Sequence, residues 1–377
     1  MGKRMDIGVS DKARKGKKGC IGIDNVARKI KKMWIGVGNV ARLFFSGQGQ
    51  LTYHGVITPL TSARYMYYGV GAGLSMKNHA LICGGYYNAD VDAYDKDLVH
   101  STATSLSNAS ATWTGSAKIG NYGLVATGVI NLDVFDEDLV LSNTISLESA
   151  RTSIAITPFK NHAVFFGGSG YLTTIEVFDE NLSKSVYELV EKRSEAGASF
   201  NSKYAIVAGG RWKTSGYRAT TEALDENFTL VAGSNLVETG TELVGGNVGD
   251  YAIFAGNQYQ SASSGLTVQA FDSNLTRVEL ANLPALYDTS DPRSTPLNVE
   301  GYAMFWAGEM VGNNTYANVV AYDELLVQQT LTAPTNKLNS LAGSATVGEY
   351  AIFAGGRVKV NASSYSNSAI AEAYKLV

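Results

Sequence analysis

Few side chains in this 377-residue chain do chemistry beyond packing, and their spacing restricts what to expect of them. There are four histidines (His54, His79, His100, His162) and two cysteines (Cys20, Cys83). A metal centre needs several imidazole, thiolate or carboxylate ligands converging on one point. His79 and His162 instead open two copies of a recurring apolar run that begins with Tyr in the other copies, the place of a strand-end packing residue. His54 and His100 fall in or near the last strand of their repeats, where convergence on one ion is not expected. Cys83 stands where other copies carry Phe or Ala and reads as a small buried hydrophobe. Six aspartates (Asp95, Asp136, Asp179, Asp225, Asp272, Asp323) recur at a turn, where bonding to their own turn backbone explains them better than calcium does. No phosphate-cradling glycine loop and no nucleophile elbow occurs. Catalytic residues, cofactors and metals are therefore not expected, and the chain is expected not to be an enzyme.

What must position these residues is a repeat. Variants of Tyr251-Ala-Ile-Phe-Ala-Gly256 begin at His79, Tyr122, His162, Tyr204, Tyr251, Tyr302 and Tyr350, 40 to 51 residues apart. Each is a nearly continuous apolar run ending in glycine, which predicts a strand covered on both faces. A second signature follows: DAYDKDL ending at Leu98, DVFDEDL at Leu139, EVFDENL at Leu182, EALDENF at Phe228, QAFDSNL at Leu275 and VAYDELL at Leu326. It reads as a strand, an Asp-led turn and a strand returning. A weaker element precedes the central run, visible in Thr61-Ser-Ala-Arg64, Glu148-Ser-Ala-Arg151 and Glu191 to Phe200. One repeat is thus four strands, A to D.

A four-stranded unit of this period cannot bury its own faces and must stack on its neighbours, which predicts a seven-bladed β-propeller over residues 47–377. The glycine pair closing strand B resembles the kelch family, a likeness that carries a fold and no chemistry. Leu51 to Leu60 aligns with a strand D that precedes any B or C, whereas Ala371 to Val377 is a strand C with no D after it. The N-terminal strand is therefore expected to complete the last blade and abolish the free edge.

Residues 1–46 carry a different repeat, of fourteen residues, starting at Ile7, Ile21 and Ile35, with Gly, Asp and Asn at the turns. It predicts an array of β-hairpins, since a helix would bear a glycine penalty in every unit. This arm holds 12 Lys and Arg against 3 Asp and Glu, which leaves 19 basic and 31 acidic residues in the rest of the chain. A basic arm on an acidic body suggests docking onto an acidic protein surface through Arg14, Lys15, Lys17, Lys18, Arg28, Lys29, Lys31 and Lys32, with Trp34 as an apolar contact. Nucleic acid is the weaker reading, because the periodic Ile, Val, Trp34, Phe44 and Phe45 look like packing positions. The segments Ala27 to Lys32 with Ile35-Gly-Val37, and Ala41 to Phe45, resemble basic repeats in proteins encoded by phages and prophages of Gram-positive bacteria.

That resemblance implies a virion component, made in the host cytoplasm, anchored by its arm to other virion proteins and presenting the propeller to a host glycan or protein. No apolar run approaches the ~18 residues of a membrane span, and no secretory signal peptide is expected. The strand B to strand C loops are long in blades four to seven and rich in Trp, Tyr, Arg, Asn and Ser, the composition of binding surfaces. The candidate contacts are Trp212, Tyr217, Arg218, Tyr259, Tyr316 and Tyr365. The alternatives are a cytoplasmic kelch-type scaffold or a carbohydrate-active propeller enzyme, although the Ser-x-Asp-x-Gly-x-Thr-Trp boxes of sialidases are missing.

Overall fold

The computed structural model describes residues 20–23, 26–29, 32–37, 40–46, 49–66, 72–109, 115–127, 130–213, 216–256, 267–284, 293–311, 314–336, 338, 341–361 and 364–377. The chain divides into two compact units, Met1–Gln50 and Leu51–Val377. In the first, Cys20–Ile23 pairs antiparallel with Val26–Lys29, and Lys32–Val37 with Val40–Ser46. The innermost pairs, Ile23 with Val26 and Val37 with Val40, fall fourteen residues apart, so the second and third repeats each fold as one hairpin. The expected turn residues Asp24, Asn25, Gly38 and Asn39 and the first repeat lie outside the described residues.

The second unit is a ring of seven four-stranded antiparallel sheets, each ordered A-B-C-D. The A strands are Ala72–Ser75, Gly115–Ile119, Ala155–Phe159, Gly197–Phe200, Val244–Val248, Arg293–Val299 and Gly343–Val347. Blade 7 is closed as the sequence predicts. Leu51–Ile57 pairs with Ser364–Leu376, from Leu51 opposite Leu376 to Ile57 opposite Ala371. Seven apolar clusters fill the seven interfaces between successive blades, including the one joining blade 7 to blade 1 through Ile352, Ala354, Ile82 and Tyr94. The apolar B runs are continuous because both of their faces are covered in this way.

Each C–D turn is held by the recurring aspartate. Oδ1 of Asp179 accepts the amides of Asn181 at 2.9 Å and Ser183 at 2.8 Å, and the same pair of bonds forms at the other five. The turn places the following Leu or Phe in the left-handed region, as at Leu182 with φ 62°.

A second recurring device joins blades. The residue that opens each C-strand motif is a carboxylate in five blades (Asp92, Asp133, Glu176, Glu222, Glu372), and it accepts amides from the connection entering that blade. In three blades it also meets a buried arginine: Arg64 to Asp92 at 2.5 Å, Arg151 to Glu176 at 2.6 Å and Arg193 to Glu222 at 2.5 Å. The weak Thr61–Arg64, Glu148–Arg151 and Glu191-Lys-Arg193 signals are therefore struts that fix where each A strand begins.

Candidate functional site

Because each A strand bonds to strand B on one side only, its other edge faces the propeller axis. An unpaired strand edge is a row of backbone donors and acceptors. Here the seven edges surround a cavity of about 500 Å³, whose lining includes Ser116, Lys118, Ile156, Phe200, Asn247 and Asn298. The strands approach so closely that a Cβ on Gly73 would overlap the Ser344 carbonyl oxygen, and one on Gly245 the Ala198 carbonyl oxygen. Side chains stitch the ring. Ser116 donates to the Gly73 carbonyl at 2.8 Å, Ser199 to that of Gly246 at 2.5 Å, and the Thr346 amide to Ser75 Oγ at 2.8 Å.

The mouth on the side of the B–C loops carries the cavity's carboxylates, whereas Lys118, paired with Glu137, lies toward the other end. Ser153, Glu195 and Glu242 occupy equivalent places at the entry to blades 3, 4 and 5, with φ of 53°, 56° and 56°. A non-glycine residue held there costs on the order of 1–3 kcal/mol and persists only where its surroundings require it. The surroundings are visible: the Glu195 amide donates to the Ser153 carbonyl at 3.2 Å and the Glu242 amide to the Glu195 carbonyl at 2.8 Å. The left-handed turn thus converts three connections into a hydrogen-bonded rim and sets two carboxylates at the mouth.

Glu195 is only 9% exposed. Burial raises its carboxyl above the usual glutamate range, and its ion pair with Arg211 pulls it part of the way back. The folded carboxyl therefore keeps its proton to higher pH than the unfolded one. Its contribution to stability is full below the unfolded value and is lost as pH rises through the folded one.

Arg211 begins a small hairpin, Arg211–Trp212 with Gly216–Tyr217, that rises beside the mouth. It is tied down by two backbone bonds between Arg211 and Ser194, at 2.9 and 3.0 Å, and by Arg218 to Glu191 at 3.1 Å. The hairpin brings together three of the residues expected from sequence. Trp212 is 39% exposed, with Lys213 Nζ 4.5 Å and the Arg218 guanidinium 5.7 Å from its ring centre, and Tyr217 stands opposite Arg211 across the hairpin.

Tyr365 lies on the blade 7 hairpin against Arg357. Tyr316 is a strand C residue of blade 6 opposite Glu309. Tyr259 lies outside the described residues, as do Arg14, Lys15, Lys17, Lys18 and Lys31. Arg28 and Lys29 sit on the strand Val26–Lys29, and Lys32 and Trp34 on Lys32–Val37.

Sequence reasoning missed Glu195 and Glu242, although both sit at the entry to an A strand. None of the histidines lines the cavity. His100 bonds to Asp92 at 2.6 Å, while the rings of His54 and His162 pack on Tyr350 and Phe228. Cys83 is fully buried and its thiol is pushed up to about 12.

No family model and no curated protein matches the sequence. Solved structures that match include two of virginiamycin B lyase from Staphylococcus aureus. A catalytically inactive histidine-to-alanine variant with quinupristin aligns with a TM-score of 0.59 at 12% identity, covering 87% of this chain and 99% of that one. The selenomethionine-substituted lyase gives 0.56 at 12% identity with the same coverage. At this identity the likeness establishes the fold, an all-β propeller of seven blades. Nothing in these comparisons supports the kelch or phage resemblance. They also overturn the expectation that the chain is not an enzyme. Two of the structures that match over 87% of its length are of a lyase, so the lack of a metal-ligand cluster among the described residues and of a nucleophile motif does not exclude catalysis in this fold.

Proposed function

We propose that the propeller binds a small polar ligand bearing an amine at the mouth of its axial cavity, with Glu195 as the group that exchanges a proton with it. The observation that carries this reading is the pair Glu195 and Glu242, held on left-handed backbone at the rim of a cavity of about 500 Å³. Few convergent polar groups and a carboxyl shifted by burial in a preformed pocket are the signs of a ligand site. At this mouth two carboxylates face one guanidinium, with Lys118 at the far end of the cavity and paired with Glu137, and in a propeller with 31 acidic and 19 basic residues they favour a cation. The open strand edges supply further donors and acceptors for hydroxyl or amide groups.

The lyase is inactivated by loss of a histidine. Here the cavity lining has no histidine, and we assign proton exchange to Glu195, the lining carboxyl that burial raises above its usual range. The test is calorimetric titration with amine-bearing sugars, amino-acid esters and polyamines, each against its neutral analogue. Saturable binding of an amine is expected, at least tenfold weaker in the Glu195→Gln, Glu242→Gln double variant and strengthening as pH rises through the Glu195 carboxyl. Equal binding of neutral analogues, or none by any amine, would overturn the reading.

For residues 1–46 the charge split supports the anchoring role read from the sequence. The arm is about +9 and the remainder about −12, from 12 basic and 3 acidic against 19 basic and 31 acidic residues. We propose that its hairpins dock on an acidic surface within a virion assembly. Deleting them should abolish incorporation into particles, and normal incorporation would remove the argument.

A further inference from the structure

We propose that a second site, on the seam where blade 7 meets blade 1, binds an oligosaccharide along a strip of tyrosines. Four tyrosines and one arginine, from three separate segments, form an unbroken run. Tyr87 packs edge-on to Tyr86 at 4.3 Å between ring centres, Tyr86 lies 5.6 Å from Tyr65, and the Arg357 guanidinium sits 4.4 Å from Tyr65 and 5.1 Å from Tyr365. The two ends are the open ones, Tyr87 at 71% and Tyr365 at 45% exposure. Tyr87 also holds a left-handed backbone, φ 54°, in the two-residue turn between strands B and C of blade 1. The tight turn between Gly85 and Asn88 accounts for that conformation, as at Tyr171 in the B–C turn of blade 3.

The strip is rigid before any ligand arrives. The Tyr86 amide donates to the Tyr65 carbonyl at 2.7 Å, and the Gly356 amide to the Arg64 carbonyl at 2.7 Å. Arg64 is itself locked to Asp92 at 2.5 Å and to the Ile82 carbonyl at 3.0 Å. The segment that carries Tyr65 follows directly on the closing strand, so closing the ring assembles the strip. Prearranged rings lose little conformational freedom on binding.

The chemistry beside the rings selects the ligand. Next to Tyr86 and Tyr87, Asp90 Oδ2 accepts from Ser62 at 2.6 Å and from Asn88 at 3.1 Å, and Asn88 donates to Ser62 at 3.0 Å. A carboxylate has about four lone-pair sites, so acceptor capacity remains for a ligand. The exposed Tyr87 and Tyr365 rings at the two ends, with a fixed carboxylate and amide following Tyr87 in the chain, match the C–H faces and neighbouring hydroxyls of pyranose units.

The test is a printed array of defined bacterial and plant glycans probed with the full chain, with calorimetry on those retained. At least one glycan is expected to bind, with affinity at least tenfold lower in Tyr87→Asn and in Tyr365→Ala. Asn tolerates the left-handed backbone, and both side chains are exposed, so the melt should not change. Glu195→Gln should bind the glycan normally, which separates this site from the axial cavity. No retained glycan, or binding that survives both tyrosine substitutions, would overturn the proposal.

Discussion

A chain lacking residues 1–60 is expected to aggregate, while one lacking residues 1–46 melts cooperatively at the temperature of the whole propeller. The longer deletion removes Leu51–Ile57, the fourth strand of blade 7, and leaves the thirteen-residue strand Ser364–Leu376 with one edge bare. A long exposed edge is a template for pairing with another chain. The same deletion removes Leu51 and Leu60, each 4% exposed, from the apolar clusters on either side of blade 7. It also strips Tyr374 of its ring contact with Tyr53 at 5.3 Å and Tyr94 of its hydrogen bond to the Thr58 carbonyl at 2.7 Å. The shorter deletion touches none of these. Light scattering during a thermal melt separates the two outcomes, and equal melts would contradict the closure.

Arg151→Ala is expected to be the most damaging single substitution among the inter-blade struts. Arg151 and Glu176 are both wholly buried, 2.6 Å apart. Removing one partner of a buried pair leaves the other charge uncompensated, at about 3–5 kcal/mol. At roughly 2 °C or less per kcal/mol for a domain of this size, the midpoint should fall by about 5–10 °C. Lys184, 3.3 Å from Glu176, is its one other cation among the described residues and is partly exposed. The double change Arg151→Met with Glu176→Leu should recover most of the loss, because it removes the charges together. At the surface pair Lys96 and Asp97, where both side chains are about 70% exposed, the corresponding substitution should leave the melt unchanged. Denaturant titration of the three variants checks the ordering.

The architecture was legible because its signals repeat. A B run such as Tyr251 to Gly256 is apolar at successive positions only when both faces are covered, and the Asp179 turn has one economical explanation. Closure followed from complementing a stray D strand with a blade that lacked one. The site was much less legible, because the A strands that carry it are short and rich in Gly, Ala and Ser, as in Gly197-Ala-Ser-Phe200. Their free edge, facing the axis, is backbone, which has no sequence signature. Searching for histidine and cysteine ligands passed over Glu195, whose interest comes from burial and from Arg211 sixteen residues away. The strut arginines were visible as letters, Arg64, Arg151 and Arg193, but their carboxylate partners are brought to them only by folding. Trp212, Tyr217 and Arg218 stood out because aromatic and basic residues in a long loop are a compositional signal, and the structure places them on one hairpin without testing what they bind.

The measurement that bears most directly on the axial site is a carbon-13 NMR titration of the Glu195 side chain, assigned by comparison with Glu195→Gln. The account requires its carboxyl to titrate above the usual glutamate range because of burial, to rise further in Arg211→Gln, and to fall when an amine ligand occupies the mouth. A Glu195 that titrates at or below the ordinary glutamate value, and that neither Arg211→Gln nor ligand moves, would contradict it.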